Sequence, residues 1–224
     1  MPPELIRPGT QSRFRTYAPP PEGFDPHTAP QAVLRRHGLP RRPDPEKEPQ
    51  LAHLWNRVFA RSTKFIQAEL QDEPRTRHHP LSQLDGLPAI LPGSWGGIVI
   101  QTPSPSTDPA RMVFAQWVVP TVLEFKPTDE DLEVGFWVGL DGFSGGGFGG
   151  GDSNQLLQAG VAATVTSGFF GGNVEWRAWI EWWHRDDENS KPKTIENFRV
   201  VPGDTACFMV CAPNRISVTF PWSI

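Results

Sequence analysis

The sequence predicts an all-β fold, an antiparallel sandwich, for the part of the chain that follows Pro92. Two observations lead to this prediction. Apolar and polar residues alternate in short segments between residues 96 and 213, which is the period of a strand with one buried face. Glycine, proline and aspartate turns separate these segments, and no helical pattern lies between them, as is typical of sandwiches and barrels.

Seven segments carry the strand pattern. In chain order they are GGIVIQT (96–102), RMVFAQWVVP (111–120), EVGFWVGLDG (133–142), NQLLQAGVAATVT (154–166), NVEWRAWIEWWH (173–184), TIENFRVVPGD (194–204) and TACFMVCAP (205–213). Cys207 and Cys211 share one face of the last segment, roughly 13 Å apart, which is too far for a disulfide. We therefore expect two buried free thiols. We expect no zinc site, because no further ligands lie nearby.

Residues 1–91 form a segment rich in proline and arginine, and we place the boundary to the sandwich domain at residue 92. Stretches such as YAPPPEGFDP predict stiff, extended spacers. Two helices are predicted, near residues 30–37 and 49–71, the first closed by Gly38. The second carries an apolar stripe that needs a partner surface, so we expect the segment to dock on the sandwich, as a propeptide does.

The charge distribution bears on the choice of partners. Residues 1–90 carry 13 basic and 10 acidic side chains, whereas residues 91–224 carry 8 and 15. The tryptophan-rich half is therefore acidic, which argues against nucleic-acid binding. No apolar run is long enough to span a membrane, and the first 17 residues lack the apolar core of a secretory signal. We expect no membrane partner and no cofactor, with the cytoplasm as the default location.

Two of the predicted strands carry an unusual second face. In residues 133–142 this face holds Trp137 and Asp141, and in residues 173–184 it holds Trp179, Glu181 and Trp183. Several large aromatic side chains interleaved with charges are typical of the floor of a groove. The alternative is that these tryptophans pack beneath a loop or beneath the N-terminal helix. Alternation alone does not separate the two interpretations.

Gln158 lies in the strand that follows a glycine-rich stretch. From its context alone, a surface residue or a satisfied hydrogen-bonding group is the ordinary interpretation. Residues Gly145 to Gly150 match the GxGxxG pattern of phosphate-binding loops, but no helix or lysine follows, and Asp152 would repel a phosphate. A pliable loop next to the strand of Gln158 explains the glycines better.

Six short motifs occur in the order and approximate spacing of a known family. They are SWGG (94–97), VVP (118–120), WVGLDG (137–142), LLQAG (156–160), AWIEWW (178–183) and PGD (202–204). Together they resemble the glutamic peptidases, or eqolisins, the family typified by scytalidoglutamic peptidase. The resemblance covers roughly residues 94–212. It implies a concanavalin A-like sandwich, a jelly roll with its active site on a concave sheet, and an endopeptidase that works in acid through a glutamine and a glutamate.

The resemblance also implies roles for individual residues. Gln158, in LLQAG, matches the catalytic glutamine. The positions that match the substrate groove are Trp95, Trp137, Asp141, Trp179, Glu181 and Trp183. Protein or peptide is the implied substrate. Where the family often has aspartate this chain has Arg177, and where a tyrosine often follows it has Trp183, so the cleft differs in charge and shape.

The motif that carries the family's catalytic glutamate has no counterpart before Ile224. One hypothesis is a truncated, inactive relative that lacks the last strands of the sandwich. A second is a lectin-like module that binds extended peptides or glycans on its tryptophans without turnover. A third is a glycosidase that uses Asp141 and Glu181 as paired carboxylates.

Overall fold

The structure is a computed structural model of the whole chain, and it divides the protein into two compact units, Met1–Glu69 and Leu70–Ile224. It describes residues 16–60, 65–72, 97–100, 110–122, 132–141, 155–166, 173–184, 190–214, 217–219 and 222–223. The boundary predicted at residue 92 lies outside these ranges. Within them, neither helix has the length and apolar character needed to cross a bilayer.

The first unit contains two helices. Helix α1 spans Gln31–Arg36, within the range predicted for it. Gly38 ends this helix, because its φ of 68° is a left-handed conformation that glycine adopts without strain. The amide N–H of Gly38 donates to the carbonyl oxygen of Arg35 at 3.1 Å. Arg35 and Arg36 in the last turn also favour the negative end of the helix dipole.

Helix α2 spans Pro49–Val58, so the predicted extension to residue 71 is wrong. The chain leaves the helix at Phe59, and Leu70–Asp72 form strand β1 at the edge of a sheet in the second unit. The apolar residues Phe65, Ile66 and Leu70 continue the helical spacing. Leu70 instead pairs with Ile195 in the sheet, a partner that spacing within one segment does not reveal.

A small aromatic core holds the first unit together. Trp55 of α2 is buried, and its ring centroid lies 4.5 Å from that of Phe59. His27 meets the Trp55 ring edge-on at 5.2 Å, and its Nε2 is 3.0 Å from the carbonyl oxygen of Phe59. Leu34 of α1 is fully buried in the same cluster. The apolar stripe of α2 is thus partnered inside its own unit.

The second unit is an antiparallel β-sandwich, which confirms the predicted fold class. Its remaining strands are β2 (Met112–Val118), β3 (Leu132–Asp141), β4 (Gln155–Thr166), β5 (Asn173–His184), β6 (Lys193–Ile195), β7 (Thr205–Asn214), β8 (Ser217–Thr219) and β9 (Trp222–Ser223). One sheet has the order β1-β6-β5-β4-β3. The other has the order β2-β7-β8, with β9 also paired to β7.

Strand β4 is the best-shielded strand of the larger sheet. It pairs with β3 along ten positions and with β5 along all twelve of its residues. Side chains on both of its faces are buried, including Leu157, Val161 and Ala162. Small and β-branched residues allow neighbours to approach it from both sides. A polar side chain on β4 is therefore held in a fixed and largely dry environment.

One of the seven predicted strands is wrong, and another is shorter than expected. Gly97–Ile100 form no strand, and Ile98 and Ile100 are 92% and 89% exposed. Alternation does not supply a pairing partner, and no described strand pairs with this segment. In the segment 194–204 only its start belongs to β6, because a turn follows Ile195. Near the end of that segment the Asp204 carboxylate accepts the backbone N–H of Val201 at 2.9 Å.

The two cysteines lie on β7, and neither forms a disulfide, as predicted. Cys211 is buried, whereas Cys207 is partly exposed. Burial raises the pKa of the Cys211 thiol to about 12, because the thiolate would lose its hydration.

Candidate functional site

Strands β3, β4 and β5 bring Gln158 and Glu181 side by side. Gln158 is the fourth of the twelve residues of β4, directly opposite Gly139 of β3 on one side and Glu181 of β5 on the other. Residues that are directly opposite in paired strands point to the same face of the sheet. We call this surface the Gln158 face. It comprises residues 133, 135, 137, 139 and 141 of β3, residues 156, 158, 160, 162 and 164 of β4, and residues 175, 177, 179, 181 and 183 of β5.

Gln158 and Glu181 are in direct contact. The side-chain amide of Gln158 donates a hydrogen bond from Nε2 to Oε2 of Glu181. Gln158 is 2% exposed and Glu181 is fully buried. A hydrogen bond to a carboxylate is stronger than one between neutral groups, and exclusion of water strengthens it further. The sheet thus holds one amide and one carboxyl group together in a protected position.

Two tryptophans flank this pair on the Gln158 face. Trp137 of β3 and Trp179 of β5 both lie opposite Gly160 of β4, one row along from Gln158. A Cβ atom on Gly160 would come within 2.1 Å of the Phe136 carbonyl oxygen and 2.8 Å of Trp137. Only glycine fits there, so the close approach of β3 and Trp137 depends on residue 160.

The indole of Trp137 also reaches toward the row of Gln158. Its Cζ3 atom would lie 3.1 Å from a Cβ atom built on Gly139. Gly139 has no side chain, so the ring occupies the space on the β3 side of Gln158. The amide is therefore bordered by an indole on one side and by the Glu181 carboxylate on the other.

The next row of the Gln158 face is formed by Asp141, Leu156 and Trp183. Asp141 is exposed and ends β3 with a φ of 74°, the one left-handed residue other than glycine that the described ranges contain. Aspartate tolerates this conformation better than most residues. Trp183, on the other side of β4, is partly buried.

A charged cluster occupies the opposite end of the face. Arg177 of β5 donates to the Thr164 hydroxyl at 2.6 Å and to the Glu133 carboxylate at 2.5 Å. The Arg177 and Glu133 side chains are 17% and 16% exposed. The cluster connects three adjacent strands. At about 3.3 Å per residue, Arg177 lies about 13 Å from the row of Gln158, and Glu133 and Thr164 lie about 20 Å from it.

The sequence was compared with family models, with curated proteins and with solved structures. The model of the Peptidase A4 family matches residues 93–223, which is more than half of the chain. The chain belongs to the Peptidase A4 family. The comparisons with curated proteins and with solved structures gave no match.

The family match confirms the resemblance to the eqolisins. It runs to residue 223, past residue 212, so the segment that the sequence resemblance left out belongs to the family region. The chain is a glutamic-peptidase-like protein, and a peptidase family implies protein or peptide substrates.

Some candidate residues of the Peptidase A4 region lie outside the described residues. Trp95 is one of them, as are the glycine pattern at Gly145 to Gly150 and Asp152. Five of the six candidate groove residues are described, and all five are on the Gln158 face. Within the described parts of the chain, no group of three or more His, Cys, Asp or Glu side chains is arranged to hold a metal ion.

Sequence reasoning missed two features of this surface. It placed Gly139 and Gly160 on strands without assigning them a role, although their positions opposite Gln158 and Trp137 follow from the strand register. It noted Arg177 only as a departure from the family pattern. Alternation along the two strands places Glu133 and Arg177 on the same face, and their charges are opposite. The sequence could therefore have predicted that they pair.

Proposed function

We propose that the protein is a glutamic-type endopeptidase that hydrolyses proteins or peptides in acid, with Gln158 as a catalytic residue. One observation carries the proposal. The glutamine that matches the family's catalytic position lies opposite a glutamate and hydrogen-bonds to it, on a sheet face bordered by tryptophans. A surface glutamine would need none of these neighbours.

The chemistry of the amide suits peptide hydrolysis. A glutamine side chain has a carbonyl oxygen that accepts a hydrogen bond and two N–H groups that donate, and it keeps both functions at every pH. The oxygen can hold the attacking water, and an N–H can stabilise the oxyanion of the tetrahedral intermediate. Glu181 uses one of the N–H groups, which leaves the oxygen and the other N–H for these tasks.

The flanking residues suit an extended peptide substrate. Rows on the Gln158 face are about 7 Å apart, which is also the repeat of side chains on one side of an extended chain. Under this proposal the partly buried Trp137 and Trp183 contact substrate side chains, Asp141 borders the groove, and Trp95 joins them. Trp179 is 1% exposed, so it contacts a substrate only after the residues that cover it move. Arg177 lies two rows and Glu133 three rows from the row of Gln158.

The burial of Gln158 has a kinetic consequence for this function. A substrate carbonyl reaches the amide only after the residues that cover it move, because its side chain is 2% exposed. Such opening motions of loops commonly occur in microseconds to milliseconds. Peptide hydrolysis is therefore expected to include an opening step before the chemical step.

The decisive experiment measures hydrolysis of a denatured protein substrate at about pH 4, near the ordinary pKa of carboxyl groups. Replacing Gln158 by alanine should lower kcat by about 100-fold to 1000-fold, the usual cost of losing an oxyanion donor. Gln116→Ala, an exposed glutamine on β2, is the matched control and should retain activity. Wild-type activity in Gln158→Ala would refute the proposed role.

The same experiment separates the other hypotheses. Tight binding of the substrate by the wild type, without turnover, would identify a binding module or an inactive relative. Release of sugar from a glycan, abolished by changing Asp141 or Glu181, would identify a glycosidase. The strand register separates those two acids, since Glu181 is opposite Gln158 and Asp141 lies one row along on the far side of β4.

We further propose that the first unit restrains the peptidase in the manner of a propeptide. Its support is the opposite net charge of the two halves of the sequence. Acid weakens attraction between the halves because carboxylates take up protons. The test compares the pH profile of the full chain with that of a chain that starts at Leu70, and identical profiles would disprove the restraint.

A further inference from the structure

The contact between Gln158 and Glu181 is directional. An ionised carboxylate has no hydrogen to donate, so it can bind only the N–H end of an amide. The structure shows this arrangement, with Nε2 of Gln158 facing Oε2 of Glu181. The Gln158 carbonyl oxygen is consequently turned away from Glu181. The carboxylate therefore selects one of the two orientations that the amide can adopt.

The other neighbours of Gln158 on its face do not make this selection. Gly139 lies opposite on β3 and has no side chain, and Leu156 and Gly160 are the next residues on the same face of β4. None of the three has a polar side-chain atom that distinguishes oxygen from nitrogen. Trp137 presents a ring carbon toward this row. The orienting interaction that the described structure provides is the hydrogen bond to Glu181.

We propose that Glu181 is a positioning residue that orients the amide of Gln158 for catalysis. The inference rests on the proposed function of Gln158 and adds a second residue to it. Glu181 keeps one amide N–H engaged, so that the carbonyl oxygen and the remaining N–H face the water and the scissile carbonyl. Because both side chains are buried, the amide does not reorient through contact with solvent.

Protonation of Glu181 removes this selection. A protonated carboxyl group can donate its O–H as well as accept a hydrogen bond, so the Gln158 carbonyl oxygen can become its partner. In that orientation the oxygen that should hold the water is occupied, and kcat should fall. The activity is therefore expected to have an acidic limb that reports protonation of Glu181.

Other titratable and charged groups lie on the strands around Glu181. On the same face, β3 carries Glu133 and Asp141, and β5 carries Glu175 and Arg177. Lys193 of β6 and His184 of β5 belong to the opposite face. Among the strands next to this sheet, β7 has only Cys207 and Cys211 as titratable side chains and β2 has none. Variants of Glu181 isolate its own contribution.

The test replaces Glu181 by glutamine in the full chain. A glutamine accepts or donates through either end of its own amide and no longer selects one orientation. We expect kcat to fall about tenfold or more, as misplaced catalytic groups commonly cause, with KM little changed. The acidic limb of the kcat profile should disappear. Glu181→Asp keeps an acceptor and should retain the limb, with kcat between those of the wild type and Glu181→Gln.

Glu175→Gln is the matched control, because it removes an exposed carboxylate from the same face of the same strand. It should leave kcat and the acidic limb unchanged. Unchanged kcat together with a retained acidic limb in Glu181→Gln would overturn the proposal. If Glu181→Gln does not fold, Glu181→Asp decides, and loss of the limb in that variant is the contradicting result.

A second measurement does not depend on peptidase activity. The side-chain amide signal of Gln158 in a ¹⁵N-¹H spectrum can be assigned by its absence in Gln158→Ala. In the wild type this signal should shift as Glu181 titrates, and in Glu181→Gln it should not. An inactive wild type with this shift would refute the proposed function but retain the contact. A Gln158 amide signal whose chemical shift does not change with pH would refute the positioning role itself.

Discussion

Gly160 shows how one missing side chain determines the shape of the groove. A Cβ atom there would overlap the backbone of β3, which is not a flexible group that can turn aside. We predict that Gly160→Ala destabilises the protein by about 1–3 kcal/mol, the usual cost of overpacking. It should also displace Trp137 and lower peptidase activity. Urea unfolding and tryptophan fluorescence measure the two effects.

Gly135 provides the comparison for this prediction. It lies on β3 on the same face, but a Cβ atom there would meet nothing closer than 3.9 Å. Gly135→Ala should therefore be neutral or stabilise by up to about 1 kcal/mol, because alanine restricts the unfolded chain. Equal stabilities for the two variants would contradict the packing described around Gly160.

Cys211 should be unreactive in the folded protein. With a pKa raised to about 12 from an ordinary 9.0, its thiolate population at pH 8 is about a thousandfold smaller than that of an ordinary thiol. Alkylation followed by mass spectrometry should label Cys211 only after unfolding. Rapid labelling of Cys211 in the native protein would contradict its burial.

The raised pKa of Cys211 also makes the free energy of unfolding depend on pH in the alkaline range. The unfolded thiol loses its proton near pH 9.0 and the folded thiol only at about 12. Stabilisation from the buried neutral thiol is thus complete below pH 9.0 and is lost as the pH rises toward 12. Cys211→Ala should show a smaller loss of urea resistance over this range than the wild type. Parallel losses in both proteins would disprove the contribution of Cys211.

At the scale of elements, the Glu133, Thr164 and Arg177 cluster joins β3, β4 and β5 through side chains. Removing either charge leaves its partner largely buried, so Arg177→Met and Glu133→Gln should each destabilise by about 1–3 kcal/mol. The double variant should recover part of this loss, because no buried charge remains unpaired. Strict additivity in urea unfolding would show that the two residues are independent.

The strands were largely predictable because the alternation of apolar and polar residues can be recognised within each segment alone. Alternation in residues 133–142 and 173–184 places Trp137, Trp179 and Glu181 on one face, as the register does. The end of α2 was not predictable in this way. Leu70 continues the helical spacing but pairs with Ile195, more than a hundred residues later in the sequence. The hydrogen bond between Gln158 and Glu181 also depends on register between strands, which one segment does not specify.

At the scale of the whole molecule, the first unit should lose stability in acid. The Arg41 guanidinium, by hydrogen bonding, lowers the pKa of Glu48 from its ordinary value of 4.5, and the backbone N–H of His27 lowers that of Asp25. Both groups stabilise the fold above their ordinary pKa values, and this stabilisation is lost as the pH falls through the lowered values. Hydrogen exchange followed by mass spectrometry, corrected for the slower intrinsic exchange in acid, should show lower protection factors around α2 in acid.

Glu48→Gln tests the cause of this sensitivity. It removes the titrating group beside Arg41. The protection factors around α2 should therefore already be lower at neutral pH and should decrease less on acidification than in the wild type. The same acid dependence in the wild type and in Glu48→Gln would show that other groups are responsible.

The position of β1 also determines where the chain can be cut without damage to the sheet. Its three residues pair with β6, and the Asp72 carboxylate binds the amino group of Lys193. A nick just ahead of Leu70 would detach the helical unit and leave that border of the sheet capped. A nick at Pro92 would release β1 together with the helical unit. Lys193 would then lose the Asp72 carboxylate, and the unpaired backbone groups of β6 could pair with strands of other molecules.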